Sequence, residues 1–487
     1  MTTAATTLGA VASAPARRAL YVFRPDRAVL VLAWAAALVL TLLYAALSLR
    51  RHARFETSGY DLGIFEQGVR AYADGRLPTS LLKGVDYPLL GDHFSPIIAL
   101  LGPVYALVPG PGTLLVAQAV LLAVGVVPLM LWAGRALGAT STMVVGAAYG
   151  LAGGLAHAVA FDFHEIAFAV PLLAFSLSAL GRRRMLAAAL WAAPLVLVKE
   201  DLGLTVGAVG GVILLLGWRG SVRDRLVGLA TVAFGIGATL LETTALIPAA
   251  NPLGANAYTG QVTLPTALEQ LSGLLTNELK ISTLVVLLLP TAFFALRSPL
   301  ALVAVPTLAW RFLSDNPNYW GTAFHYDAVL VPIVTAALVD VLARTPATTS
   351  AQRTRRRLFL ITSAIATAAL LVQSPLARLL SPDLWREPAH ALAAEAVLDR
   401  IPSGASVAAS NSLAPHLTDR ADVSLLGILP VEAIAPEYVV ADTSLPSQWP
   451  VSGDRLDSLL TQAARSGYRM VAEECGITLL RWDDRDR

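Results

Sequence analysis

Apolar residues run along this chain in long blocks rather than in short alternations. The first covers 28–49. Others lie near 112–134, 140–160, 165–180, 185–198, 202–217, 226–248, 281–296, 299–313, 326–344 and 358–378. A spanning helix needs roughly 20 apolar residues. The pattern therefore predicts a polytopic α-helical membrane protein with about 11 transmembrane helices over 28–378, several of them short for a span. The stretch "FSPIIALLGPVYALVPG" (94–110) is apolar but holds Pro96, Pro103 and Pro109. It reads as an interfacial or re-entrant helix.

Past Ser381 the period changes. "ASVAAS" (405–410), "SLLGI" (424–428), "YVVADT" (438–443) and "ITLLRW" (477–482) read as short buried strands, and "DSLLTQAARSG" (457–467) has helical spacing. Residues 379–487 are thus expected to form a small α/β domain outside the membrane. A unit of that size is near the lower limit for independent stability and should lean on the membrane part.

Composition strengthens the membrane reading. The 487 residues are 55% hydrophobic and 14% charged, whereas soluble proteins carry about a quarter charged residues. The net charge of +2 says little about partners. A single cysteine, Cys475, excludes an internal disulfide and a cysteine-based metal site. The sequence has no P-loop, dinucleotide fingerprint, zinc-protease helix or internal repeat. A cleaved signal peptide is not expected, because the run from Ala28 to Leu49 is too long and no small-residue cleavage site follows it.

Charge placement predicts orientation. Short basic loops stay in the cytoplasm. Arg182, Arg183 and Arg184, then Arg219, Arg223 and Arg225, then Arg353 and Arg355–Arg357, mark that side, as do Arg17, Arg18, Arg24 and Arg27. Residues 1–27 read as a cytoplasmic tail, and the carboxyl-terminal domain falls outside the cell membrane. These basic runs are topology signals, so no nucleic-acid partner is expected.

On that count an outer loop, 50–111, opens with "YDLGIFEQ" (Tyr60–Gln67). Leu62, Phe65, Val69 and Tyr72 share one helical face, while Glu66, Arg70 and Asp74 are four apart on another and can pair. An amphipathic helix over 62–74, lying along the membrane surface, follows. Asp61 stands at its start, where a helix cap is the plain alternative to a chemical role. Four more polar clusters reach the same side: "GDHFSP" with Asp92 and His93; "FDFHE" with Asp162, His164 and Glu165; "KED" with Lys199, Glu200 and Asp201; "FHYD" with His325, Tyr326 and Asp327. Taken singly, these are solvated loops or caps, and His157 is a packing histidine. Together they point to one polar cavity, since ionisable groups beside apolar spans face polar surroundings. Carboxylates and imidazoles there can act as general bases or divalent-metal ligands. Lys199 and Arg311 can hold a phosphate. Because the outer face lacks nucleotide cofactors, a group donor would arrive attached to lipid.

"YDLGIFEQ", "GDHFSP", "FDFHE" and "KED", in this order, resemble an uncharacterised family of prokaryotic integral membrane proteins, a domain of unknown function. That family is similar in layout to the GT-C glycosyltransferases. The resemblance implies a GT-C-like bundle, and transfer of a sugar from a polyprenyl-phosphate donor in the membrane lipid to an acceptor outside. It places the early acidic residue at Asp61, the general base, with Glu66 as its neighbour. The second acidic site falls at Asp162 and Glu165. Here the motif is Asp-x-His-Glu in place of Asp-x-Asp, and Asp162, His164 and Glu165 would either orient the acceptor or hold a magnesium or manganese ion with Asp92 and His93. Glu200 and Asp201 would line the substrate site. Lys199, Arg311 or His325, beside Asp327, would neutralise the leaving lipid phosphate. Two other classes remain: a transporter or flippase relaying protons through the same residues, and a non-catalytic assembly protein acting through its outer domain.

Overall fold

The structure, a computed structural model, describes residues 26–483 apart from 219, 259, 346 and 446. Nearly all of the expected tail, 1–27, lies outside the described residues, and so does Arg219.

The first helix, α1 (Arg27–Ala53), begins where the Asp26 carboxylate accepts from the Ala28 N–H at 3.0 Å. It ends with Arg50, Arg51 and His52 on its carbonyl pole, which favours positive charge. Ala33, Ala37, Tyr44 and Leu47 are buried, while Trp34, Leu38 and Leu42 stand exposed on the opposite side. A helix of a soluble protein would put charge there; an apolar outer face is what lipid requires. Pro111–Leu137, Val222–Ala250 and His325–Arg344 are likewise long and apolar enough to cross a membrane, which with α1 makes four such helices among the described residues. Ala139–Gly150 and Gly153–Ala160, bent by 41°, make a fifth if counted as one span.

Helix length alone therefore does not confirm the expected count of about eleven spans. Glu165–Gly181, Met185–Leu197, Leu202–Gly217 and Pro299–Leu313 are apolar but shorter. Proline opens tight turns in two of these segments, at Pro194 and Pro299. The 281–296 block breaks where Ala292 and Phe293 take left-handed backbone angles. The 94–110 segment forms the short helix Pro96–Leu107.

Small residues let the helices approach. A Cβ at Gly235 would lie 2.3 Å from the Gly203 carbonyl oxygen, so Leu202–Gly217 and Val222–Leu241 cross backbone to backbone. Gly154 does the same against the turn that carries His325, where a Cβ would meet Asp327 Cβ at 2.8 Å.

The carboxyl-terminal part holds a mixed sheet of β1 (Ser406–Ala409), β2 (Asp422–Leu425), β3 (Tyr438–Asp442), β4 (Tyr468–Glu474) and β5 (Ile477–Trp482). The strand order is β2-β1-β3-β5-β4, parallel through the first three and antiparallel after. The sequence pattern missed β4, most of whose residues are not buried and so show no apolar alternation. The helix Gly453–Arg465 covers one face with Leu456, Leu459 and Ala463. On the other face Val407, Ala409, Val423 and Val440 share a core with Phe55, Ile64 and Leu82 of the preceding part of the chain. Apolar contact thus joins the sheet to the polar end of the bundle.

Candidate active site

All five polar motifs meet at one end of the helices. Asp61 Oδ2 lies 3.1 Å from His164 Nε2. The His164 ring stacks on His325 with centroids 3.7 Å apart. Glu165 Oε1 takes the Lys199 ammonium at 3.0 Å. The neighbouring Glu200 holds His93 Nδ1 at 2.7 Å and accepts from the Phe94 N–H at 3.2 Å. Asp92, next to His93, pairs with Lys83 at 2.6 Å and accepts from the Tyr258 hydroxyl at 3.2 Å. Each motif is thereby tied to another, though they are far apart in sequence.

Two loops place Asp61 and His164. Asp61 sits in a wide helical turn, Gly59–Gly63, that leads into α2 (Ile64–Ala73). Ser58, just before it, donates its N–H (2.9 Å) and its hydroxyl (2.7 Å) to Asp162 Oδ2. Asp162 itself adopts φ 71°, a left-handed angle that costs a non-glycine residue about 1–3 kcal/mol. Gln118 holds that loop in place. Its amide donates to the carbonyls of Ala158 (3.1 Å) and Asp162 (2.5 Å), and its oxygen accepts from the His164 N–H (3.0 Å). Sequence reading missed Gln118, although a lone amide in the apolar block 112–134 was the available signal.

The charges follow from these contacts. Burial alone would raise the Asp61 carboxyl, but His164, with Lys199 and Lys83 beyond it, brings the net shift below the usual range. Its side chain is 33% exposed, so an ionised oxygen can reach a substrate. Burial pushes Asp162 up to about 6 against the bonds from Ser58. It also pushes Asp201 up to about 6 against the pull of Lys199. Burial disfavours the Lys199 ammonium, yet Glu165, Glu200 and Asp201 outweigh it and hold the group charged. Burial and Lys199 push the His93 imidazole down, but Glu200 turns the net shift upward. Burial works against Glu200 as well, and His93 brings it down to about 2.

A small cavity of about 20 Å³, room for about one water, lies beside His325, lined among others by Lys199, Asp201, Thr307, Trp310 and Tyr326. Four of its lining residues carry a buried polar atom with no partner: Asp201 Oδ1, Thr307 Oγ1, Trp310 Nε1 and His325 Nδ1. Leaving such atoms unmet costs about 1–3 kcal/mol each, so the small cavity suits a bound water or a single polar atom. Thr307 and Trp310 were not foreseen, because neither belongs to a charged motif.

Several expected roles do not match the geometry. Glu66 does not pair with Arg70, nor does it reach the cluster. It is buried between the Tyr105 hydroxyl (2.8 Å) and Thr418. Arg70 instead donates to the carbonyls of Thr418 and Ala421, and Asp74 pairs with Arg76. Arg311 and Asp327 bind each other at 2.5 Å, and Arg311 also donates to the carbonyls of Tyr319 and Gly321. With its side chain 0% exposed and all three nitrogens engaged, Arg311 has no free edge for a phosphate. Asp162, His164 and Glu165 turn to Ser58, Asp61 and Lys199 respectively, so they do not converge on one ion. Among the described residues no three His, Cys, Asp or Glu side chains group as a metal set.

Fold and site together define a helical membrane protein of ArnT-like architecture. ArnT from Cupriavidus metallidurans bound to undecaprenyl phosphate superposes with a TM-score of 0.58 at 16% identity, over 93% of this chain and 98% of that one. The apo state of the same protein gives 0.57 at 15%, over 92% and 97%. At such identity the likeness is one of fold. The chain belongs to the predicted membrane protein family DUF2079, whose profile matches residues 51–479. No curated protein matches it in sequence.

Proposed function

We propose that this protein is a GT-C-type glycosyltransferase. It moves a sugar from a polyprenyl-phosphate donor to a hydroxyl acceptor at the outer face of the cell membrane. The observation that carries this reading is the Asp61–His164 pair, a partly exposed carboxylate fixed by an imidazole where all five polar motifs meet. The ArnT-like fold, bound in one neighbour to undecaprenyl phosphate, agrees with it. In this reading the chain crosses the membrane about eleven times, with its amino terminus inside and its sheet domain outside.

Asp61 accepts the proton of the acceptor hydroxyl as that oxygen attacks the anomeric carbon. The bond to the lipid phosphate breaks with inversion. A carboxylate held low is a weak base, but it suits a transition state in which the attacking oxygen has already become acidic by bonding to carbon. General bases of this kind contribute typically about 10²–10⁴-fold. His164 orients the carboxylate through Nε2. Lys199, kept cationic by neighbouring carboxylates, and His93, whose hold on a proton Glu200 strengthens, balance the departing phosphate. Arg311 stays with Asp327 and takes no part. The acidic residues do not fit a shared ion, so no step runs through a metal.

The test is turnover without a gradient. In detergent-solubilised membranes carrying the protein, glycosylated polyprenyl phosphate should fall and free polyprenyl phosphate rise. Asp61→Asn should slow this by about 10²–10⁴-fold. Turnover that required sealed vesicles and a membrane gradient would overturn the transferase reading in favour of a transporter.

A further inference from the structure

The loop that follows β1 reaches across to the turn that carries Asp61. The Asn411 carbonyl accepts from the Gly59 N–H at 2.7 Å. Its side-chain oxygen accepts from the Tyr60 N–H at 2.8 Å, and its side-chain amide donates to the Trp449 carbonyl at 2.6 Å. The approach is close: a Cβ at Gly59 would lie 2.8 Å from Ala414 Cβ. On the other side of Gly59, Ser58 is bonded to Asp162. The segment just ahead of Asp61 is therefore held from two directions, by the helical part through Asp162 and by the sheet domain through Asn411.

The place of Asn411 in the sheet is telling. β1 has β2 on one side and β3 on the other, both parallel to it, so the strand order reverses at its carboxyl end. Open α/β sheets bind ligands in the crevice at such a point. In this protein the chain's own Gly59–Tyr60 turn enters there. Further along α2, Gln67 donates to the Val423 carbonyl at 2.8 Å and Arg70 to that of Thr418 at 3.0 Å. The sheet domain grips the start of α2 along its length.

We infer that Asn411 is a positioning residue: through it, the carboxyl-terminal domain fixes the Tyr60–Asp61 turn against His164. Its catalytic meaning rests on Asp61 being the base, while its structural meaning does not. A placement error of about 1 Å can cost about 10²-fold in rate.

The experiment uses the full chain in detergent, with Asn411→Ala, Asn411→Asp and Gly59→Ala beside the wild type. Two quantities are read: amide hydrogen exchange over 57–64, and turnover of glycosylated polyprenyl phosphate. Asn411→Ala should speed exchange at Tyr60 by about two- to tenfold, as loss of one hydrogen bond does, and lower turnover by up to about 10²-fold. Exchange in β1, β3 and β5 should not change. Asn411→Asp keeps the acceptor oxygen for the Tyr60 N–H but loses the donor to Trp449, so it should protect Tyr60 from exchange better than Asn411→Ala. Gly59→Ala pushes the same turn away without altering the sheet, and should reproduce the alanine result. Unchanged exchange at 59–61 in both Asn411→Ala and Gly59→Ala would overturn the inference. If Asp61→Asn left turnover intact, the base assignment would fall, and exchange would still decide the positioning role.

Discussion

Glu66 shows how burial sets the chemistry of a single residue. It lies five positions beyond Asp61, yet burial pushes its carboxyl up to about 8 against bonds from Thr418 and Tyr105. The acid is neutral at pH 7 and bridges α2, Pro96–Leu107 and the sheet domain. A folded-state value above the unfolded one means that the folded protein binds the extra proton. The stabilisation is complete below about 4.5 and drains away as pH rises through about 8. Relative to Glu66→Gln, the wild type should therefore lose thermal stability steadily from about pH 5 to 8. Parallel melting curves across that range would contradict the assignment. The sequence made Asp61, His164 and Lys199 legible because charge beside apolar blocks is costly and must face something polar. It did not make Glu66 legible. Spacing by four shows which side chains can meet on an isolated helix, but not that Thr418, in a later domain, covers the same face.

Among the elements, the loop 161–164 depends on a helix that contributes no charge. Gln118 is buried and supplies two donors and one acceptor to that loop. Gln118→Ala should cost about 1–3 kcal/mol of stability and displace His164 from Asp61. Turnover should drop with it; a variant melting like the wild type with full turnover would show the clamp to be dispensable. Helices were readable from apolar blocks, since each predicted block falls on helical structure. Their number as membrane spans was not. The blocks 185–198 and 281–296 look like spans in hydropathy, but Pro194 and the bend at Ala292–Phe293 break them, so helix length alone does not confirm them as crossings. The strand β4 escaped for the opposite reason, being covered on neither face by enough apolar contact to leave a period.

The whole molecule joins a lipid-facing bundle to a sheet that grips its polar end. Orientation can be tested with one atom. Cys475 is the only cysteine in the chain and lies exposed between β4 and β5. A membrane-impermeant maleimide should label it in intact cells; labelling only after lysis would place the domain inside and refute an outer active site. The junction itself was not legible, because its bonds run from main-chain groups of Gly59 and Tyr60 to Asn411, and main-chain groups leave no trace in a residue pattern. The most direct measurement for the central claim concerns what the protein carries. Wild type and Asp61→Asn, purified in mild detergent with their native lipids, can be compared by mass spectrometry. A transferase with its base removed should retain glycosylated polyprenyl phosphate above the wild-type level. Absence of any polyprenyl phosphate from both samples would contradict the account.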